Sequence, residues 1–189
     1  MRILDLRRTA PAVAAAAMLF AIPPGQALAG LFDFGTTTQQ HRVTGRHLVM
    51  VPPGYAPGTI LVQFSQRRLY FVLPQQRAIS YPIGAPKGDA RWSGETYVSQ
   101  KRVNPSWTPT PEMRAENPSL PAYVPGGHPK NPLGVRAMYL GKSLYRIHGT
   151  DAPWTVGQEV SHGCIRMFNQ DVADLYQRVP IGTPVVVMW

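Results

Sequence analysis

The chain has a single cysteine, Cys164, set in Ser161-His162-Gly163-Cys164-Ile165-Arg166-Met167, and a second histidine stands upstream in Ile147-His148-Gly149-Thr150. A solitary thiol cannot close an intramolecular disulfide, so in an exported chain it needs another role. The thiolate is the nucleophilic form of cysteine, and a neighbouring imidazole favours it. To attack an amide carbonyl, such a thiol also needs a fixed base and donors for the developing oxyanion. His148 is the candidate base. Gly163 permits a tight backbone path beside Cys164, so that main-chain N–H groups could face an oxyanion. Ser161 and Thr150 are candidates to hold the imidazole rings, and Arg166 offers a planar fork for a carboxylate.

Blander and sharper alternatives exist for the same residues. A buried lone cysteine can be a small hydrophobe, and Arg166 can be half of a surface ion pair. His148, His162 and Cys164 could together ligate zinc, although no fourth cysteine or obvious carboxylate completes the set. His41 and His47 lie in a leader and His128 in a Pro/Gly-rich loop, so all three read as solvated. Trp107, Trp154 and Tyr123 either pack or line a groove.

The N-terminus bears on where this chemistry takes place. Arg2, Arg7 and Arg8 precede an apolar run from Ala10 to Ile22, which Pro23-Pro24-Gly25 breaks before Ala27-Leu28-Ala29. That is the three-part pattern of a secretory signal, with cleavage expected after Ala29. The apolar run is shorter than the roughly 20 residues of a spanning helix. Losing Arg2, Arg7, Arg8 and Asp5 lowers the net charge from +9 to +7. A basic surface favours anionic partners. The basic residues are scattered and form no nucleic-acid motif, so an anionic wall polymer fits better. The expected organisation is a signal at 1–29, a leader or linker at 30–57 and one folded domain at 58–189.

Twenty prolines and seventeen glycines argue for turns rather than long helices. Thr59–Phe64 and Arg68–Leu73 are β-branched and aromatic runs joined as a hairpin through Ser65-Gln66-Arg67. Ala78–Gly84 follows as a strand in which Pro82 suggests an edge or bulge. Thr96–Val103 alternates next, and residues 104–134 form a proline-dominated excursion of the kind that often shapes a site. Arg136–Leu140 and Ser143–Ile147 pair about Gly141-Lys142, leaving His148 at a strand end. Asn169 is expected to cap one short helix that Pro180 stops, and Pro184–Met188 to close the chain as a buried strand. The fold class is mainly β.

The His148-Gly149-Thr150 and Ser161-His162-Gly163-Cys164-Ile165-Arg166-Met167 segments resemble the L,D-transpeptidase (YkuD domain) family, most closely its proteobacterial ErfK/YbiS/YcfS/YnhG branch. Asn131-Pro132-Leu133-Gly134 and Pro180-Ile181-Gly182-Thr183-Pro184-Val185 fit the same pattern, and the resemblance spans roughly Gly58 to Trp189. Arg166 stands where the wider family often has Asn, as it does in that branch. The resemblance implies a β-sandwich-like catalytic domain with a short helix after the cysteine motif. It implies that Cys164 attacks the third stem-peptide residue of peptidoglycan, typically meso-diaminopimelate, and expels D-Ala to leave a thioester. An amine then resolves it, giving a 3→3 cross-link or attaching an outer-membrane protein or lipoprotein to the wall. By the same resemblance His148 is the base oriented by the Gly149 carbonyl, and Gly163 and Cys164 N–H groups form the oxyanion hole. His162 and Arg166 place the donor stem, Ser161 supports the loop, and carbapenems acylate the thiol. No metal or organic cofactor and no nucleic-acid partner is implied, and the location is periplasmic, with no transmembrane segment after signal cleavage. Resolution by water, giving an L,D-carboxypeptidase or amidase, and a non-catalytic wall-binding module are the alternatives.

Overall fold

The computed structural model describes residues 45–189. The expected signal segment and the leader as far as residue 44, His41 included, lie outside the described residues. The strands are β1 (His47–Met50), β2 (Ile60–Gln63), β3 (Arg68–Leu73), β4 (Arg77–Pro82), β5 (Ala85–Pro86), β6 (Gly94–Val103), β7 (Arg136–Leu140), β8 (Arg146–His148), β9 (Glu159–Ser161), β10 (Ile165–Arg166) and β11 (Pro184–Met188). Among the described residues two α-helices accompany them, α1 (Pro111–Glu116) and α2 (Asn169–Arg178). The main sheet runs β1-β4-β3-β2-β11-β6-β7-β8-β10, and β5 pairs with β9 in a small second sheet.

The uninterrupted apolar runs of β2 and β3 follow from burial on both faces. Ile60, Val62, Leu69 and Phe71 enter the main core, while Leu61, Tyr70 and Val72 pack a second cluster on the other face. Side chains alternate across a strand, so a run covered on both sides has no polar face to show. β11 sits between β2, to which it is parallel, and β6, to which it is antiparallel. β6 is long enough to join two regions: Gly94–Tyr97 pairs with β11, and Val98–Val103 pairs with β7 across a bulge at Val98–Gln100. The main core lies between these regions, where Val185 and Val187 of β11 meet Met138, Leu140, Ile147 and Ile165.

α2 closes this core with Val172 and Leu175 and packs on β7 and β8. Its last carbonyls, which have no partner within the helix, are met by Lys101, whose Nζ donates to Tyr176 O at 2.7 Å and Val179 O at 2.5 Å.

Three sequence expectations change. His47–Met50, read as linker, is an edge strand on β4, with His47 opposite Ser80. β4 is therefore an interior strand; Pro82 stands at its end, beyond the last β1 pair, where a missing N–H leaves that ladder intact. The excursion at 104–134 contains α1, started by Thr110, whose Oγ1 accepts from Met113 N–H at 3.3 Å, with Pro111 in the first turn.

Candidate active site

β8 and β10 run parallel, with Ile147 opposite Ile165 and His148 opposite Arg166. Ile147 and Ile165 are fully buried on the core face, so His148 and Arg166 point to the other face. Cys164 immediately precedes β10, two residues before Arg166, and its charge acts on the Arg166 guanidinium. The pairing thus brings the two motifs together although 15 residues separate Gly149 from Cys164 in numbering.

His148 is 4% exposed, and its Nδ1 lies 2.6 Å from Gly149 O. A carbonyl only accepts, so a neutral ring carries its proton on Nδ1 and keeps the lone pair on Nε2. Burial pushes the imidazole pKa from 6.5 down to about 3; the Arg166 and Arg146 guanidinium charges add to that, while the Gly149 and Pro132 carbonyls oppose it. His148 is therefore uncharged at neutral pH.

The loop after His148 is held by Asn169, which the sequence pattern suggests as a helix cap. Asn169 is not the helix cap; Phe168 occupies that position, without a capping side chain. The Asn169 amide reaches back instead: Oδ1 accepts from Thr150 N at 3.0 Å and Val135 N at 3.3 Å, and Nδ2 donates to Thr150 O at 2.9 Å. A Cβ on Gly149 would come within 2.2 Å of Asn169 Oδ1, as would one on Gly134. Both glycines are needed for that close approach.

The expected ring-holding roles of Ser161 and Thr150 are replaced by main-chain bonds. Ser161 Oγ donates to Cys164 O at 2.5 Å, bracing the cysteine turn, and Thr150 Oγ1 accepts from Ala152 N at 2.9 Å. Gly163 has φ +112°, a conformation suited to glycine. Neither the Gly163 nor the Cys164 N–H has an acceptor among the described residues. Cys164 is half-buried, with Sγ 3.9 Å from Leu144 O.

His162 pairs through Nε2 with Glu116 Oε2 at 2.9 Å. Glu116 ends α1, so the excursion reaches the residue two before the thiol. Arg166 is half-buried; Nη1 donates to Thr155 Oγ1 at 2.8 Å, while Nε is buried with no partner among the described residues. Burial lowers its pKa, which the Asp151 and Cys164 charges oppose. Among the described residues it forms no ion pair, so the surface-pair reading is set aside. Arg146 likewise buries an unpartnered Nε.

Of the other residues singled out, His47 and His128 are exposed. Trp154 is also exposed, whereas Trp107 and Tyr123 line a cleft of about 490 Å³ with Pro132, Lys130 and Asp151. A second cleft of about 400 Å³ lies between Gly134, Thr150 and Asn169. Among the described residues, no three His, Cys, Asp or Glu side chains form a group able to hold a metal ion. No helix among them is long and apolar enough to cross a membrane.

Comparison with known proteins gives this geometry its context. Residues 57–187 match the profile of the L,D-transpeptidase catalytic domain (YkuD). Probable L,D-transpeptidase ErfK/SrfK of Escherichia coli K12 is 41% identical over 136 residues, covering 68% of this chain and 43% of that protein. Probable L,D-transpeptidase YbiS of the same strain is 38% identical over 143 residues, covering 72% and 46%. The chain thus spans less than half the length of these relatives. The solved catalytic domain of the E. faecium L,D-transpeptidase is 21% identical with a TM-score of 0.52, covering 69% of this chain and 95% of that one, and shows the shared fold. The mainly β architecture, the paired motifs and the profile agree: the chain belongs to the L,D-transpeptidase (YkuD) family.

Proposed function

We propose that this domain is a peptidoglycan L,D-transpeptidase that works through a Cys164 thioester. The observation that carries the reading is the juxtaposition of β8 and β10. It sets a neutral His148, with Nδ1 committed to Gly149, beside a half-buried thiol flanked by two unengaged main-chain N–H groups.

In this mechanism His148 Nε2 takes the thiol proton as Sγ attacks the carbonyl of the third stem residue. The tetrahedral oxyanion is held by the Gly163 and Cys164 N–H groups. The imidazolium formed is stabilised by the Gly149 carbonyl and by the oxyanion itself. It returns its proton to the departing D-Ala amine as the C–N bond breaks, leaving the thioester. An acceptor amine then attacks the thioester, losing a proton to His148, and the thiol is released. Arg166 and Arg146 suit the stem carboxylates, and His162 lies at the entrance near Glu116. The acceptor is a second stem peptide or a protein amine. The signal-like pattern of residues 1–29 supports a periplasmic setting for this chemistry. The chain uses no cofactor in this scheme.

Incubating the protein with disaccharide-tetrapeptide and reading products by mass spectrometry tests the proposal. Cross-linked dimer with D-Ala release supports transpeptidation. Tripeptide alone indicates that water resolves the thioester, and unchanged substrate indicates a wall-binding role.

A further inference from the structure

Trp92 lies between β5 and β6, outside both motifs, and is half-buried. Its Nε1 donates to Gly163 O at 2.9 Å. The indole stacks on Tyr145 at 4.8 Å with planes 10° apart, and meets the buried Phe64 edge-on at 6.2 Å. Tyr145 in turn occupies the space beside Gly163: a Cβ there would fall 2.2 Å from its Cε1. The residue before the thiol is thus gripped twice, by an aromatic ring against its Cα and by an indole N–H on its carbonyl.

We infer that Trp92 is a positioning residue for the oxyanion-binding loop, setting the direction of the Cys164 N–H through the Gly163 carbonyl. A trans peptide is planar, so its C=O and the following N–H point to opposite sides, and no cis peptide occurs among the described residues. Fixing Gly163 O against the indole therefore turns the Cys164 N–H away from Trp92, where no described residue accepts it. Indole N–H is a donor only, so it holds the carbonyl without competing for the oxyanion. The restraint matters because glycine at φ +112° has little intrinsic resistance to rotation of the adjoining peptide. Rotation would swing the Cys164 N–H out of use while leaving the thiol in place. A Tyr145 that merely packs would not prevent this, since it touches the Cα side of Gly163 and not its carbonyl.

This inference rests on the acyl-enzyme reading above, and its test separates the two. Trp92→Phe removes the N–H while keeping a ring to stack. Replacing Trp92 by 3-benzothienylalanine exchanges only N–H for sulfur at nearly constant shape, which covers the case in which the smaller ring fails to fold. Two reactions of Cys164 are then compared by intact mass. Acylation by imipenem builds an oxyanion; alkylation by iodoacetamide proceeds at a saturated carbon and does not. Loss of an oxyanion donor slows acyl transfer by about 10²–10³-fold, and loss of its positioning group should slow imipenem acylation by roughly 10- to 100-fold. Alkylation should change by less than about threefold. Acylation at the wild-type rate in both variants, or equal slowing of both reactions, overturns the inference alone. A wild-type protein that is alkylated but never acylated overturns the acyl-enzyme reading and the inference with it.

Discussion

The carboxamide of Asn169 brackets Thr150, accepting from its N–H at 3.0 Å and donating to its carbonyl at 2.9 Å. A residue at the start of α2 thereby fixes the loop whose Gly149 carbonyl orients His148. Asn169→Ala should cost about 1–3 kcal/mol, because buried main-chain groups lose their partners. Asn169→Asp keeps the acceptor oxygen but sets a carboxylate oxygen against Thr150 O, so it should cost at least as much as Asn169→Ala. Urea unfolding midpoints check the order, and in both variants acylation of Cys164 should slow more than alkylation.

The pH dependence follows from His148. Its pKa is about 3 in the folded protein against 6.5 ordinarily, so between those values the unfolded chain binds a proton that the native protein does not. Stability from this group is full above pH 6.5 and is lost as pH falls toward 3, at about 1.4 kcal/mol per unit. Comparing urea midpoints at pH 7.5 and 4.5 should show a larger loss for the wild type than for His148→Gln. The acylation rate should show no His148 titration near pH 6.5.

Arg166 lowers the His148 pKa, and its half-buried guanidinium interacts with the charge of Cys164. Arg166→Met should raise that pKa, bringing its titration closer to neutral pH in an NMR titration of the imidazole. It should also raise KM for tetrapeptide more than it lowers kcat. Arg166→Lys keeps the charge and should leave the titration low, but it cannot restore the fork.

Chelation provides an independent check. His148 commits Nδ1 to Gly149, and His162 commits Nε2 to Glu116. A zinc-bound thiolate would also be a poor nucleophile. Cross-linking activity should survive prolonged EDTA treatment, with added Zn²⁺ neutral or inhibitory. Activity lost on chelation and restored by Zn²⁺ would favour a metallohydrolase.

The strands and the two motifs were legible because period-two burial and local turn chemistry are written in adjacent residues. β1 was hidden because Leu48 and Met50 are exposed and only Val49 is half-buried, so its pattern resembles a linker. α1 was masked by prolines, although Thr110-Pro111 carried a usable start signal. Asn169 looks like a local cap in sequence because sequence does not distinguish a side chain that turns to its own helix from one that reaches 19 residues back. Trp92 and Tyr145 lie 71 and 18 residues from Gly163, and only the sheet brings them there.

The most direct test is intact-mass spectrometry of the wild type and Cys164→Ala after exposure to imipenem. Removing one sulfur from a half-buried site should leave the fold intact, as circular dichroism and thermal melting can verify. The account predicts one covalent adduct per wild-type chain, mapped to the peptide containing Cys164, and none on the folded variant. An equal adduct on Cys164→Ala, or its mapping to another residue, would contradict Cys164 as the nucleophile.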